Sequence, residues 1–393
     1  MSSTTHSESG FSLVAGGPAY RLQQRLGLTE PGTRGFAKRI ALCVLLTWAP
    51  LLVISAVEGR ALGGEVRIPF LHDFSTYALF LVAVPLLILA EGMIERHLPQ
   101  VAAHFVKSGL VAAADVLAHA AALARATRWR DSTAMELALV GMTVLSVAVT
   151  AGRFPFDFST WRSDVADSVH TRTVAGWWDL IVGRGLFQFL LWRWLWRLFI
   201  WYGFLRRMSK LDLRLIPTHP DRAAGLGFVG DAQRFFWIVV LAISVTLSGT
   251  IANEVVFASI PLKNYAFGIG GLVVLVLLVF LGPLLMFSPA LIDCRIECEH
   301  AYSALAVAHN LGFDAKWVQG DHSQNEALVG TPDISSLADL GNAYETLRKM
   351  RPIPFDPSDA LTLGAATLLP MAPLLLTVYP LDRVLGLLWR LLI

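Results

Sequence analysis

Seven long apolar runs divide this chain and leave it few ways to fold: residues 40–57, 77–93, 135–151, 180–205, 235–257, 267–292 and 361–379. A hydrocarbon layer about 30 Å thick takes roughly 20 helical residues to cross. Lipid cannot hydrogen-bond an open backbone, so each run is expected to cross as a helix. The alternation that marks a membrane barrel is absent. Composition points the same way. Of 393 residues, 55% are hydrophobic and 16% charged, where a soluble domain carries about 25% charged. Disordered chains and disulfide scaffolds are thereby excluded. A net charge of +2 gives no sign of a nucleic-acid partner. The expected fold class is all-α: a polytopic transmembrane helical bundle of about seven spans, with helical segments in the cytosol and the lipid bilayer as first partner.

Lys and Arg are spread unevenly over the connections. Segments 1–39, 94–134, 206–234 and 293–360 together hold 21, and the intervening connections with the tail hold 8. By the positive-inside rule the richer set faces the cytoplasm, with the N-terminus. The opening MSSTTHSESG does not read as a secretory signal. The expected divisions are a polar segment 1–36, two spans in 37–93, a cytosolic helical segment 94–134, a four-helix core 135–292, a second cytosolic helical segment 293–360, and the ending 361–393. Within that ending, Pro370, Pro373 and Pro380 bend the path. Arg383, Trp389 and Arg390 suit a helix lying at the interface. A span and a re-entrant hairpin both fit.

The polar residues inside the runs are the candidates for function. The fourth run carries Arg184, Gln188, Arg193 and Arg197, and six of the twelve tryptophans fall between Trp177 and Trp201. An arginine at the helix centre costs about 2.5–3.5 kcal/mol on insertion scales. Arg184 and Arg197 have boundaries within snorkelling reach; Arg193 is nearest the middle. Gln188, Arg193 and Arg197 are therefore candidates for a pore or anion path, with Ser248, Thr250 and Asn253 of the fifth run. Hydroxyls are also ordinary glue between membrane helices. Cys294, Cys298 and His300 offer too few ligands for zinc. His104 and His119 match no ligand spacing. No metal, cofactor or catalytic group is expected.

The most distinctive polar string is LRLIPTHPDRAAGLGFVG, 213–230. His219, Asp221 and Arg222 with the N–H groups of Gly225 and Gly227 could hold an anion or a lipid phosphate. The bland alternative is a rigid entry to the fifth span. The string lacks GKS/T, so it is no phosphate-binding loop of the nucleotide type. Farther on, Thr331, Pro332 and Asp333 form a helix-start signature. HPDRAAGLGF and SSLADLGNAYETLR resemble an uncharacterised family of bacterial polytopic membrane proteins, over most of residues 36–390. That resemblance implies an integral protein of the bacterial inner membrane and assigns no activity.

Three functions follow as expectations. The first is an oligomeric channel or transporter for a small solute or ion, with an anion favoured by Arg193. The second is a membrane sensor or scaffold that binds a cytosolic protein through 94–134 and 293–360. The third is a lipid-acting enzyme with His219, Asp221 and Arg222 at headgroup level. It ranks last, because HExxH and GxSxG are absent.

Overall fold

The computed structural model describes residues 11–30, 33–63, 65–167, 169–320 and 332–377. It is 75% helical with almost no sheet. A short helix α1 (Pro18–Arg25) precedes α2 (Thr33–Val57) and α3 (Phe74–Lys107). Then come α4 (Val116–Arg130) and α5 (Thr133–Ala151). A hairpin of β1 (Ser163–Ala166) and β2 (Val169–Arg172) leads into α6, one rod over 174–208. It is followed by α7 (Phe228–Phe257), α8 (Ala266–Phe280), α9 (Ser288–Phe313), α10 (Pro332–Arg348) and α11 (Pro357–Leu368). Asp321, Thr331, Pro380 and the tail with Arg383, Trp389 and Arg390 lie outside the described residues.

Among the described residues, six helical stretches are long and apolar enough to cross a membrane: α2, α3, α5, α7, Leu262–Val318 and Pro357–Thr377. The chain is an integral membrane protein. The fourth apolar run, inside α6, falls short of that apolarity because its arginines, Gln188 and tryptophans dilute it. It is nevertheless part of the bundle. Trp194 Nε1 donates to Leu87 O at 3.1 Å, Arg197 pairs with Glu91, and Phe204 meets Phe105 at 6.0 Å. α6 therefore runs alongside α3 in the same direction. Connectivity demands this. α5 finishes at the hairpin end, where Arg172 donates to Ala151 O. α7 starts at the opposite, basic end, where Phe228 packs on Phe105. Only α6 joins them.

Small residues set how closely these rods approach. A Cβ on Gly249 of α7 would lie 2.5 Å from the Cβ of Ala78, and one on Gly183 of α6 would lie 2.5 Å from the ring of Phe80. Ala78–Ala83 and Asp179–Arg184 are both π-helical. Wide turns of this kind gather at functional sites.

The prolines of the last segment are answered by α7. Leu369–Thr377 is a 3-10 helix, in which each N–H reaches back three residues. Pro370 and Pro373 have no N–H to give Thr367 O and Pro370 O. Ser244 Oγ donates to Thr367 O, and Ser248 Oγ donates to Pro370 O at 2.6 Å. Serines four apart on one helix thus replace two missing backbone bonds of its neighbour.

One expectation about the connections needs correction. The sequence over 313–330 reads as a loop, yet Asp314–Val318 continues α9 as a π-helical turn, because it contains no proline or glycine to stop it. The connection 152–179 contains the β-hairpin, which pairs Ser163 with Arg172 and Ala166 with Val169.

Candidate functional site

Two charge clusters sit on α6. Asp179 and Arg193 are 14 positions apart, about 20 Å along a helix, so both fall within or at the edges of a layer about 30 Å thick.

At the basic end, Glu91 of α3 is 5% exposed. Arg39 of α2 pairs with its Oε2, and Arg197 Nη2 donates to its Oε1 at 2.8 Å. Arg193 is also buried, at 9% exposed. Its guanidinium makes no ion pair or hydrogen bond among the described residues; the ring of Phe189 lies 5.9 Å away. Glu136, the other carboxylate in the vicinity, is engaged by Ala19 N–H at 3.0 Å. Three cations therefore share one directly bound carboxylate. Arg193 and Glu91 line a cavity of about 170 Å³ with Arg39, Cys43 and Leu190, the space of five or six waters at roughly 30 Å³ each. Arg193 and Arg197 also line a smaller cleft of about 30 Å³ beneath the N-terminal segment.

At the hairpin end, Asp73 precedes the first turn of α3 and is fully buried. It accepts from Trp161 Nε1 at 2.7 Å, Asn253 Nδ2 at 2.7 Å and Ser75 Oγ at 2.6 Å. Arg162 Nη1 lies 2.8 Å from its Oδ2. Burial alone would raise the Asp73 pKa. Arg162 and these hydrogen bonds more than offset that and hold it at about 2. Asp179 takes both Arg162 Nε and Arg184 Nε at 2.9 Å. A cavity of about 260 Å³ opens beside this network, lined by Arg153, Arg162, Arg172, Arg184 and Gln188. Arg172 donates to the carbonyls of Ala151, Thr150 and Arg153. Burial, then Arg184, lowers its pKa. Gln188 Oε1 has no hydrogen-bond partner among the described residues.

The residues marked out in the sequence are thus divided. Arg193 and Arg197 belong to the basic-end cluster, Gln188 and Asn253 to the hairpin end. Ser248 bonds Pro370 O, and Thr250 bonds Thr246 O at 3.1 Å. The hydroxyls of α7 donate to backbone carbonyls. In the 213–230 string, Asp221 accepts from Ala223 N at 2.8 Å, Gly225 N at 3.2 Å and Gly227 N at 2.8 Å. Burial raises the Asp221 pKa, and those three N–H groups bring it below the usual range. The loop's own carboxylate occupies the N–H groups offered for an outside phosphate. His219 Nδ1 lies 2.9 Å from Asp221, and Arg222 is exposed. Arg351 ties the loop to the chain before α11 through Asp221 O and Arg222 O. His119 bonds Ala102 O at 2.9 Å.

Asp73, Glu91, Arg162 and Asp179 were not singled out by sequence. Glu91 carried a usable signal, as the one acidic residue within the run 77–93. Asp179 carried another, five residues before Arg184. Arg162 and Asp73 carried none, since their pairing spans separate connections. Comparison with family models, curated proteins and solved structures finds no match to this chain.

Proposed function

We propose that this membrane protein transports small inorganic anions, with Arg193 as the group that receives the ion at the basic end. One observation carries the reading: a cation buried beside Arg39 and Arg197, with a single carboxylate bound among the three. A charge held away from water is costly unless it is paired. A desolvated anion in the 170 Å³ cavity supplies the missing pair. The arginine-lined cavity at the hairpin end serves as the opposite mouth. Gln188 and Arg193 point about 140° apart on α6 at 3.6 residues per turn, so the two openings face different sides. A transporter that exposes them in turn fits this better than an open pore.

The proposal places the protein in a bacterial inner membrane with its N-terminus and basic end in the cytoplasm, on the strength of the 21-to-8 division of Lys and Arg. It includes a homo-oligomer, for which Gly268 and Gly271, three apart, leave one face of α8 open to close approach. It assigns no catalytic residue.

The test is chloride flux into proteoliposomes, read with an internal halide-sensitive dye. Arg193→Gln is expected to cut flux at least about tenfold, equivalent to about 1.4 kcal/mol of ion binding. Arg193→Lys keeps the charge and retains part of the flux. Wild-type flux no greater than that of empty vesicles, or unchanged flux in Arg193→Gln, refutes the proposal.

A further inference from the structure

A groove at the basic end, apart from both charge clusters, has a composition of its own. It measures about 480 Å³ and runs between α4, the last turns of α6 and Met286. Arg125, Arg206, Arg207 and Lys210 line it, and among the described residues no acidic one does. Arg125, Arg206 and Lys210 are exposed, and none of the four is ion-paired among the described residues. Its wall is aromatic: Trp129 stacks on Phe199 at 5.6 Å and on Trp196 at 5.7 Å, and Arg125 lies 5.6 Å from the Trp129 ring centre.

The helix dipole explains cations in the last turn of α6. It does not explain Arg125, which comes from another helix, nor the groove. The order of residues along α6 is more telling. Leu195 and Phe199 are 39% and 53% exposed. Tyr202 follows, and then Arg206 and Lys210, each about one turn on. One face of the rod thus passes from apolar, through aromatic, to cationic in the direction leaving the membrane. A phospholipid has the same profile from acyl chain to phosphate.

We infer that this groove binds an anionic phospholipid, its phosphate among Arg125, Arg206 and Lys210 and one acyl chain along Phe199 and Leu195. Basic pockets between membrane helices take anionic headgroups, and each nearby Lys or Arg adds measurably to the attraction. A free phosphate would use the cations and leave the apolar stripe unexplained.

Native mass spectrometry of the full-length protein, released from micelles containing equal phosphatidylglycerol and phosphatidylcholine, tests this. The wild type is expected to retain phosphatidylglycerol selectively. The triple variant R125Q/R206Q/K210Q, whose changes are all at exposed positions, is expected to lose that selectivity by about tenfold or more. Phe199→Ala is expected to weaken retention, and added inorganic phosphate to leave it unchanged. Equal retention of the two lipids overturns the inference, as does undiminished selectivity in the triple variant. Displacement by inorganic phosphate also overturns it, and marks a free-anion site instead.

Discussion

Replacing Glu91 with Gln is expected to destabilise the protein more than any other conservative change in the basic half. The side chain keeps its shape and loses its charge, so Arg39 and Arg197 stay buried without a counter-charge beside Arg193. Breaking a buried pair by removing one partner costs about 3–5 kcal/mol, because the other charge is left uncompensated. The thermal unfolding midpoint in micelles should fall sharply. The double variant Glu91→Gln/Arg197→Gln should recover part of the loss, since it removes one of the stranded charges. Midpoints that simply add, with no recovery, would show that Glu91 and Arg197 are not coupled.

Asp73→Ala should be comparably severe at the other end. Arg162, Trp161, Asn253 and Ser75 lose a shared acceptor that is itself fully buried. The expected cost is again about 3–5 kcal/mol, read by unfolding in micelles. Acid should act on the same group. The Asp73 pKa is depressed from an ordinary 3.8 to about 2. The stability it contributes is therefore present above pH 3.8 and is lost as pH falls from there through about 2. Trp161, whose indole N–H bonds Asp73, is a local reporter. Its fluorescence should change over that window in the wild type and lose that transition in Asp73→Ala. An Asp73→Ala protein with wild-type stability would remove the network from the account.

The membrane helices were legible in the sequence because lipid imposes one demand, a long run of apolar residues with its backbone bonds closed internally. Every one of the seven runs lies mainly in helix. The glue role of the hydroxyls of the fifth run, realised by Ser244 and Ser248, was legible as well. The partners they bond, Thr367 O and Pro370 O, are more than a hundred residues away, and no local spacing reveals that. The same limit hid the clusters. Arg193 and Arg197 stood out as charges in an apolar run, and Glu91 is the one acid of its own run, but it lies 106 positions from Arg197, and no local spacing pairs them. The 213–230 string misled for a different reason. Glycine N–H groups and an aspartate predict a cradle equally well whether the carboxylate is external or their own, and here Asp221 turns inward to fill it.

If α6 crosses the bilayer, arginines included, its two clusters mark opposite boundaries. Cysteines placed singly at exposed Asp157 and exposed Lys210, in a background with Cys43, Cys294 and Cys298 changed to Ser, can be labelled in sealed vesicles of one orientation with a membrane-impermeant maleimide. Only one of the two is expected to react before the vesicles are opened, and both afterwards. Reaction of both in sealed vesicles, or of neither, would place the two ends of α6 on one side and contradict that crossing.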